Sequence, residues 1–267
     1  SGVYALFRTG GDISNSNITA IDALVYKGFA QTVSPTVTLY GYQLTEGTDY
    51  TTSFTGNTNA GTASITLTGI GNYTGTKTEG FTIASKTLTI TAEDKTKVYD
   101  GSAFPQANYS VTYDGFVGDE DTSDLAGTLA YGGTAIAATA SGTYVITPSG
   151  LTSDNYSIVY ENGELSITQR DISEASIADI ADLVYTGSAQ TVSPEVTFSS
   201  LNLVEDTDYT TSFEGNTNAG TATITLTGIG NYTGTQTKEF TITSKTLTIT
   251  AVDKTKVYDG SAFPQAN

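Results

Sequence analysis

Cysteine, methionine, tryptophan and histidine are all absent from the 267 residues. Without cysteine there is no disulfide framework, no thiolate nucleophile and no sulfur-ligated metal. The missing histidine removes the usual general base at neutral pH and the commonest transition-metal ligand. Positive charge is scarce too: 11 Lys and Arg stand against 28 Asp and Glu, a formal charge of −17. That balance excludes nucleic acid as a partner, because phosphates are held through cationic side chains and counterion release. No run of apolar residues approaches the length of a membrane span, so membrane insertion is not expected. The expectation is a protein that is not an enzyme and has no resident cofactor.

What the chain does have is itself, twice. Residues 12–108 return as residues 171–267 at an offset of 159, without insertion or deletion, and roughly three-quarters of the positions are identical. Leu24-Val25-Tyr26 becomes Leu183-Val184-Tyr185, and Lys97-Val98-Tyr99-Asp100-Gly101 becomes Lys256-Val257-Tyr258-Asp259-Gly260. A catalytic site gains little from such copying, whereas a filament gains length and valency. Inside the unit lie two related halves, each opened by Val-Tyr-x-Gly and each carrying a later Asn-Tyr pair: Asn72-Tyr73 in one and Asn155-Tyr156 in the other. The expected division is residues 1–11 as the end of a preceding domain, 12–85 as a first-type repeat and 86–170 as a second type. Residues 171–244 are then the first type again, and 245–267 the start of a second-type domain. Residues 4–9 read as a strand at the other end, and either ragged end is a candidate to complete a neighbouring copy's sheet. An arbitrary boundary in a longer polypeptide is the plainer alternative.

Local pattern reads as β throughout. Leu88-Thr89-Ile90-Thr91-Ala92 and Ile65-Thr66-Leu67-Thr68 alternate apolar with polar, the period of a half-buried strand. Thr, Val, Ile and Tyr fill these runs, and Gly, Asn and Asp punctuate them. No segment carries a helical period; Asp121-Thr122-Ser123-Asp124-Leu125 supports one capped turn. The fold class expected is all-β: tandem small Ig-like antiparallel sandwiches in an elongated rod, with a β-grasp arrangement as the alternative. The junction Ile83-Ala84-Ser85-Lys86-Thr87-Leu88 has little slack, so neighbouring domains should be held semi-rigidly.

These motifs resemble domains of bacterial surface proteins. Tyr185-Thr186-Gly187-Ser188-Ala189-Gln190-Thr191 with Asn216-Thr217-Asn218-Ala219-Gly220-Thr221-Ala222 looks like a widespread bacterial Ig-like repeat. Lys97-Val98-Tyr99-Asp100-Gly101, Tyr113-Asp114-Gly115-Phe116 and Thr147-Pro148-Ser149-Gly150-Leu151 are similar to the MBG/YDG family of haemagglutinin-like and mucus-binding adhesins. The resemblance implies an extracellular, cell-surface adhesin or filament. Its partners would be neighbouring domains or copies in a fibre, or host and matrix glycans. It carries over no catalytic residue.

Three constellations invite a functional reading. Asp114, Asp119, Glu120, Asp121 and Asp124 could supply hard oxygen ligands to calcium, although the spacing is not that of an EF-hand and a solvated acidic loop is the plain alternative. Tyr40-Gly41-Tyr42-Gln43 becomes Ser199-Ser200-Leu201-Asn202 in the second copy, which marks Tyr40 and Tyr42 as ligand-binding candidates on a variable loop. Lys86, Lys95 or Lys97 near Asn155 or Asn162 would suit an isopeptide crosslink, but Lys97 reads as an exposed edge-strand residue. The Asn-Tyr pairs read as structural, with the ring in the core.

Overall fold

A computed structural model describes residues 10–199 and 201–263. Residues 4–9 and Ser200, singled out above, lie outside the described residues. The chain forms two compact units, Ser1–Thr168 and Gln169–Asn267. Both are built of strands, and the only helical elements among the described residues are single 3-10 turns such as Thr122–Asp124. None of the described helical elements is long and apolar enough to cross a membrane.

The first unit contains the first-type repeat and all of residues 86–168. In the repeat, a four-stranded sheet runs in the order Leu24–Val25, Thr76–Ala84, Gly61–Gly69, Tyr50–Thr55. A second sheet of three strands, Asn17–Ile18, Val37–Leu39 and Tyr42–Gln43, lies beside it in sequence. The alternation read from the sequence sets the faces. Ala63, Ile65 and Leu67 point into the core, and the intervening Ser64 and Thr66 do not. Residues 86–168 repeat the scheme with a sheet of Val111–Asp114, Lys86–Ala92 and Tyr156–Glu161. Its companion is a sheet of Ala126–Gly132, Gly142–Thr152, Gly163–Thr168 and Lys95–Val98.

Most neighbouring strands are antiparallel, as expected, but opening and closing strands pair in parallel. Lys86 through Thr91 lie in register with Tyr156 through Glu161. Lys95–Val98 pairs the same way with Leu165–Thr168, and Leu24–Val25 with Ile83 and Ala84. The cause is connectivity. Odd numbers of reversals separate the first strand from neighbours made by hairpins, whereas the last strand returns in its own direction and needs the whole domain as its crossover.

The core of the first unit is continuous across the repeat boundary. Tyr26, Ala63, Phe81 and Ile83 from the repeat cluster with Leu88, Ile90, Val117 and Tyr156 from residues 86–168. Only Ser85 separates the strands Thr76–Ala84 and Lys86–Ala92. The domain division expected at residue 85 is thus crossed by shared packing, and the first compact unit closes at Thr168.

The second unit restates the first-type repeat. Leu183–Val184, Thr235–Thr243, Gly220–Gly228 and Tyr209–Glu214 form its four-stranded sheet in that order, again with the first pair parallel. Ile172, Val196, Ile224, Leu226, Tyr232 and Ile242 are among its most deeply buried side chains. In the second copy Phe198 replaces Leu39, and the Arg170 guanidinium sits over its ring at 3.5 Å, a cation–π contact. Residues 245–263 carry no strand.

Candidate functional site

The most elaborate polar arrangement lies inside the shared core of the first unit. Tyr26 directly follows the strand Leu24–Val25, and its backbone N–H donates to the Ala84 carbonyl at 2.9 Å. Two residues on, Gly28 has φ +78°, and a Cβ there would come within 3.0 Å of Val117 Cγ2 and 3.3 Å of Glu120 Oε1. The Tyr-x-Gly signal therefore has a dual cause: a left-handed backbone and a close approach, both of which favour glycine. The approach brings the tyrosine hydroxyl onto Glu120.

Glu120 is held between two phenols. Tyr26 donates its hydroxyl to Oε1, and Tyr156 donates its own to Oε2. The Tyr156 oxygen also accepts the Val117 N–H at 3.0 Å. The two rings meet edge-on at 5.5 Å, and Phe116 packs edge-on against Tyr156 at the same distance. Beside them, Asn155 ties the halves together through its amide and backbone. Its Oδ1 accepts from the Ala60 N–H at 3.0 Å, and its carbonyl accepts from the Lys86 N–H at 3.0 Å. Ser153 Oγ accepts from the N–H groups of Asn155 and Tyr156 in turn, fixing the turn that presents both.

Burial pushes the hydroxyl pKa of Tyr26 and Tyr156 up to about 12, with the hydrogen bond to the Glu120 carboxylate the next cause. A raised pKa in the folded state stabilises that state fully below the ordinary value of 10.0, and the contribution disappears as pH climbs to about 12. Tyr50, Tyr109, Tyr113 and Tyr131 are shifted the same way, first by burial. We expect thermal melts across that alkaline window to show the first unit losing stability. A chain carrying Tyr26→Phe and Tyr156→Phe should show a flatter pH dependence there, and an unchanged slope would refute this origin.

The five carboxylates picked out as calcium candidates have separate settings. Asp114 lies on the exposed face of Val111–Asp114, and Asp119 is exposed in the turn before Glu120. Asp121 and Asp124 form the two halves of a capping box around Thr122–Asp124, the turn anticipated from sequence. Among the described residues, no three such side chains are gathered in a way that could hold a metal ion. With Glu120 engaged by both phenols, we expect EDTA and added calcium to leave the melting temperature alike; a calcium-dependent rise lost on Asp119→Asn would contradict this.

Tyr40 and Tyr42 occupy the tip of the hairpin between Val37–Leu39 and Tyr42–Gln43, and both are exposed. Tyr40 has φ +53° and Gly41 φ +84°, the left-handed pair of a tight two-residue hairpin turn. Ser199 takes the same φ of +53° in the second copy.

Lys97 corrects the reading of an exposed lysine. Its side chain is only 12% exposed, and Nζ bonds Asp100 Oδ1 at 2.6 Å and the Ser102 carbonyl at 2.7 Å. The pairing holds the Asp100 carboxyl down at about 2, with Lys97 the main cause. Lys256, Asp259 and Ser261 rebuild the same turn in the second copy. Lys95 Nζ is bound to Glu93 and Ser110, and the Asn155 side chain faces Ala60 and Asn59. Of the residues weighed for an isopeptide bond, Lys95, Lys97 and Asn155 therefore have their side chains committed elsewhere. The Asn-Tyr rings are buried, as expected: Tyr73, Tyr156 and Tyr232 are all core residues.

Comparison with known proteins bears on this site directly, because residues 88–166 match the MBG domain family, YGX type. Those residues contain Val117, Glu120, Asn155 and Tyr156. No curated protein matches the chain. Among solved structures, surface layer protein SbsC, domains 4–9, shares 16% identity at a TM-score of 0.21, covering 90% of this chain and 49% of that one. The present chain thus spans about half the length of that structure. Protocadherin gamma B7 extracellular cadherin domains 1–4 share 11% identity at a TM-score of 0.22, covering 86% and 77% of the two chains.

Proposed function

We propose that the chain is a non-enzymatic stalk segment of an extracellular, cell-surface adhesin. Its work is to space and orient what lies at its ends. The observation that supports this most is the core shared by Tyr26, Phe81, Ile83, Leu88, Ile90, Val117 and Tyr156. A repeat welded to its YGX-type neighbour through packed side chains and a single linking residue transmits direction, which a flexible tether does not. The return of residues 12–108 after 159 positions sets reach by copy number, and the charge of −17 keeps such chains apart in solution. Small-angle scattering tests the reading. A compact chain of this length has a radius of gyration of about 18 Å. Three domains of about 30–40 Å placed end to end give on the order of 30 Å. A value near the compact figure, or turnover of any ester, glycoside or peptide, would overturn it.

One observation favours a second reading, that the hairpin tip binds glycans and repetition supplies avidity. Tyr40 keeps a left-handed backbone that a bulky side chain adopts only at a cost, and strain of this kind collects at functional positions. Its aromatic ring stands exposed beside that of Tyr42 in sequence. Mucin or glycan-array binding by the chain, lost in Tyr40→Ser with Tyr42→Ser, would support this. Serine already occupies the equivalent backbone at Ser199, so the change is tolerated locally.

A further inference from the structure

The second unit carries the first-type residues that, in the first unit, pack into the core shared with residues 86–168. Tyr185 and Gly187 stand for Tyr26 and Gly28, and Asn218-Ala219-Gly220 for Asn59-Ala60-Gly61. The backbone is preserved: the Tyr185 N–H donates to Thr243 at 2.8 Å, and Gly187 has φ +86°. The surroundings differ. Tyr26 is 4% exposed, Tyr185 37%. A Cβ on Gly28 would press on Val117 and Glu120, whereas one on Gly187 would meet only its own Tyr185 hydroxyl at 3.8 Å.

The loop that receives Asn155 differs in the same sense. In the first unit the Ala60 N–H is taken by Asn155 Oδ1. In the second, the equivalent residues 215–221 border an open cavity of about 400 Å³. Beyond it, residues 245–251 repeat Lys86–Ala92 without a change. Leu88 and Ile90 are fully buried, yet Leu247 and Ile249 are 82% and 86% exposed.

We infer that this end of the second unit is a docking site for a YGX-type domain. The occupant is a segment of the kind seen at residues 109–168, which takes residues 245–251 between its two strands as Val111–Asp114 and Tyr156–Glu161 take Lys86–Ala92. It seats an Asn-Tyr turn in the cavity of residues 215–221 and brings a glutamate to the Tyr185 hydroxyl. The assignment rests on continuity with the interface already described. The same side chains on the same backbone select an amide, a phenol and a carboxylate at fixed spacing, a set that a free sugar or a bare strand edge does not supply. It stands independently of the stalk reading.

The test lengthens the full chain by a copy of residues 109–168 placed after Asn267, followed by amide hydrogen exchange. Exchange at Leu247, Ile249 and Ala219 should slow on the order of tenfold or more relative to the 267-residue chain. Tyr185→Phe should lower the melting transition of the lengthened chain and leave that of the 267-residue chain in place. Protection of Leu247 and Ile249 with Ala219 exchanging as before would mean a domain that folds without docking, and would overturn the inference. So would unchanged exchange at all three, or equal effects of Tyr185→Phe in both chains.

Discussion

Replacing Glu120 with alanine is expected to destabilise the first unit by about 3 kcal/mol or more, from two hydrogen bonds to a charged group at roughly 1.5–3 kcal/mol each, discounted for partial exposure of the carboxylate. The effect is large because the loss is asymmetric. Tyr26 and Tyr156 are buried, and their hydroxyls would keep their desolvation cost without an acceptor. A double-mutant cycle isolates the coupling. Tyr26→Phe should cost much less in an Glu120→Ala background than in the native chain, as read by denaturant midpoints at constant slope. Additive effects would show that the short contacts carry no energy. Glu120→Gln is the milder control, since an amide oxygen still accepts one phenol proton.

Ile90→Ala should cost about 2–5 kcal/mol, the range for emptying a fully buried isoleucine site, whereas Ile249→Ala in the 267-residue chain should stay within about 0.5 kcal/mol. The pair is informative because the local sequences are the same, Leu-Thr-Ile-Thr-Ala in both places. Ile90 lies in the middle strand of its sheet, between Tyr113 and Tyr160 in register, and is packed in the shared core. Ile249 has solvent on its side chain. Thermal or urea unfolding of the two single variants measures the contrast. Equal costs would mean that residues 245–251 are packed in solution.

The contrast also explains what the sequence could reveal. Alternation at Ile65-Thr66-Leu67-Thr68 and Leu88-Thr89-Ile90 announced strands and faces, because a two-residue period is a local property. The capped turn at Asp121 and Asp124 was legible for the same reason. Parallel pairing of Lys86–Ala92 with Tyr156–Glu161 was not, since its partners lie some seventy positions apart and no local signal encodes direction. Glu120 was singled out as an acidic residue among acidic neighbours. Its phenol partners come from positions 94 before it and 36 after it. The faint clue was Gly28, a glycine recurring two residues after a tyrosine, where a turn accounts for the backbone and hides the close approach to Val117 and Glu120. Lys97 misled because a lysine amid threonines looks solvated, and only the Asp100-Gly101-Ser102 turn folding back on it hides its stem.

The parallel pairing of opening and closing strands has a mechanical meaning. Tension applied along the backbone at Lys86 and at Thr168 pulls two side-by-side strand pairs, Lys86–Ala92 with Tyr156–Glu161 and Lys95–Val98 with Leu165–Thr168, past each other lengthwise. The slanted, evenly spaced bonds between them are then loaded together in shear. Antiparallel hairpin ends would instead peel one bond at a time. Leu24–Val25 and Leu183–Val184 open the two first-type repeats with the same parallel pairing, so tension entering either would meet the same latch.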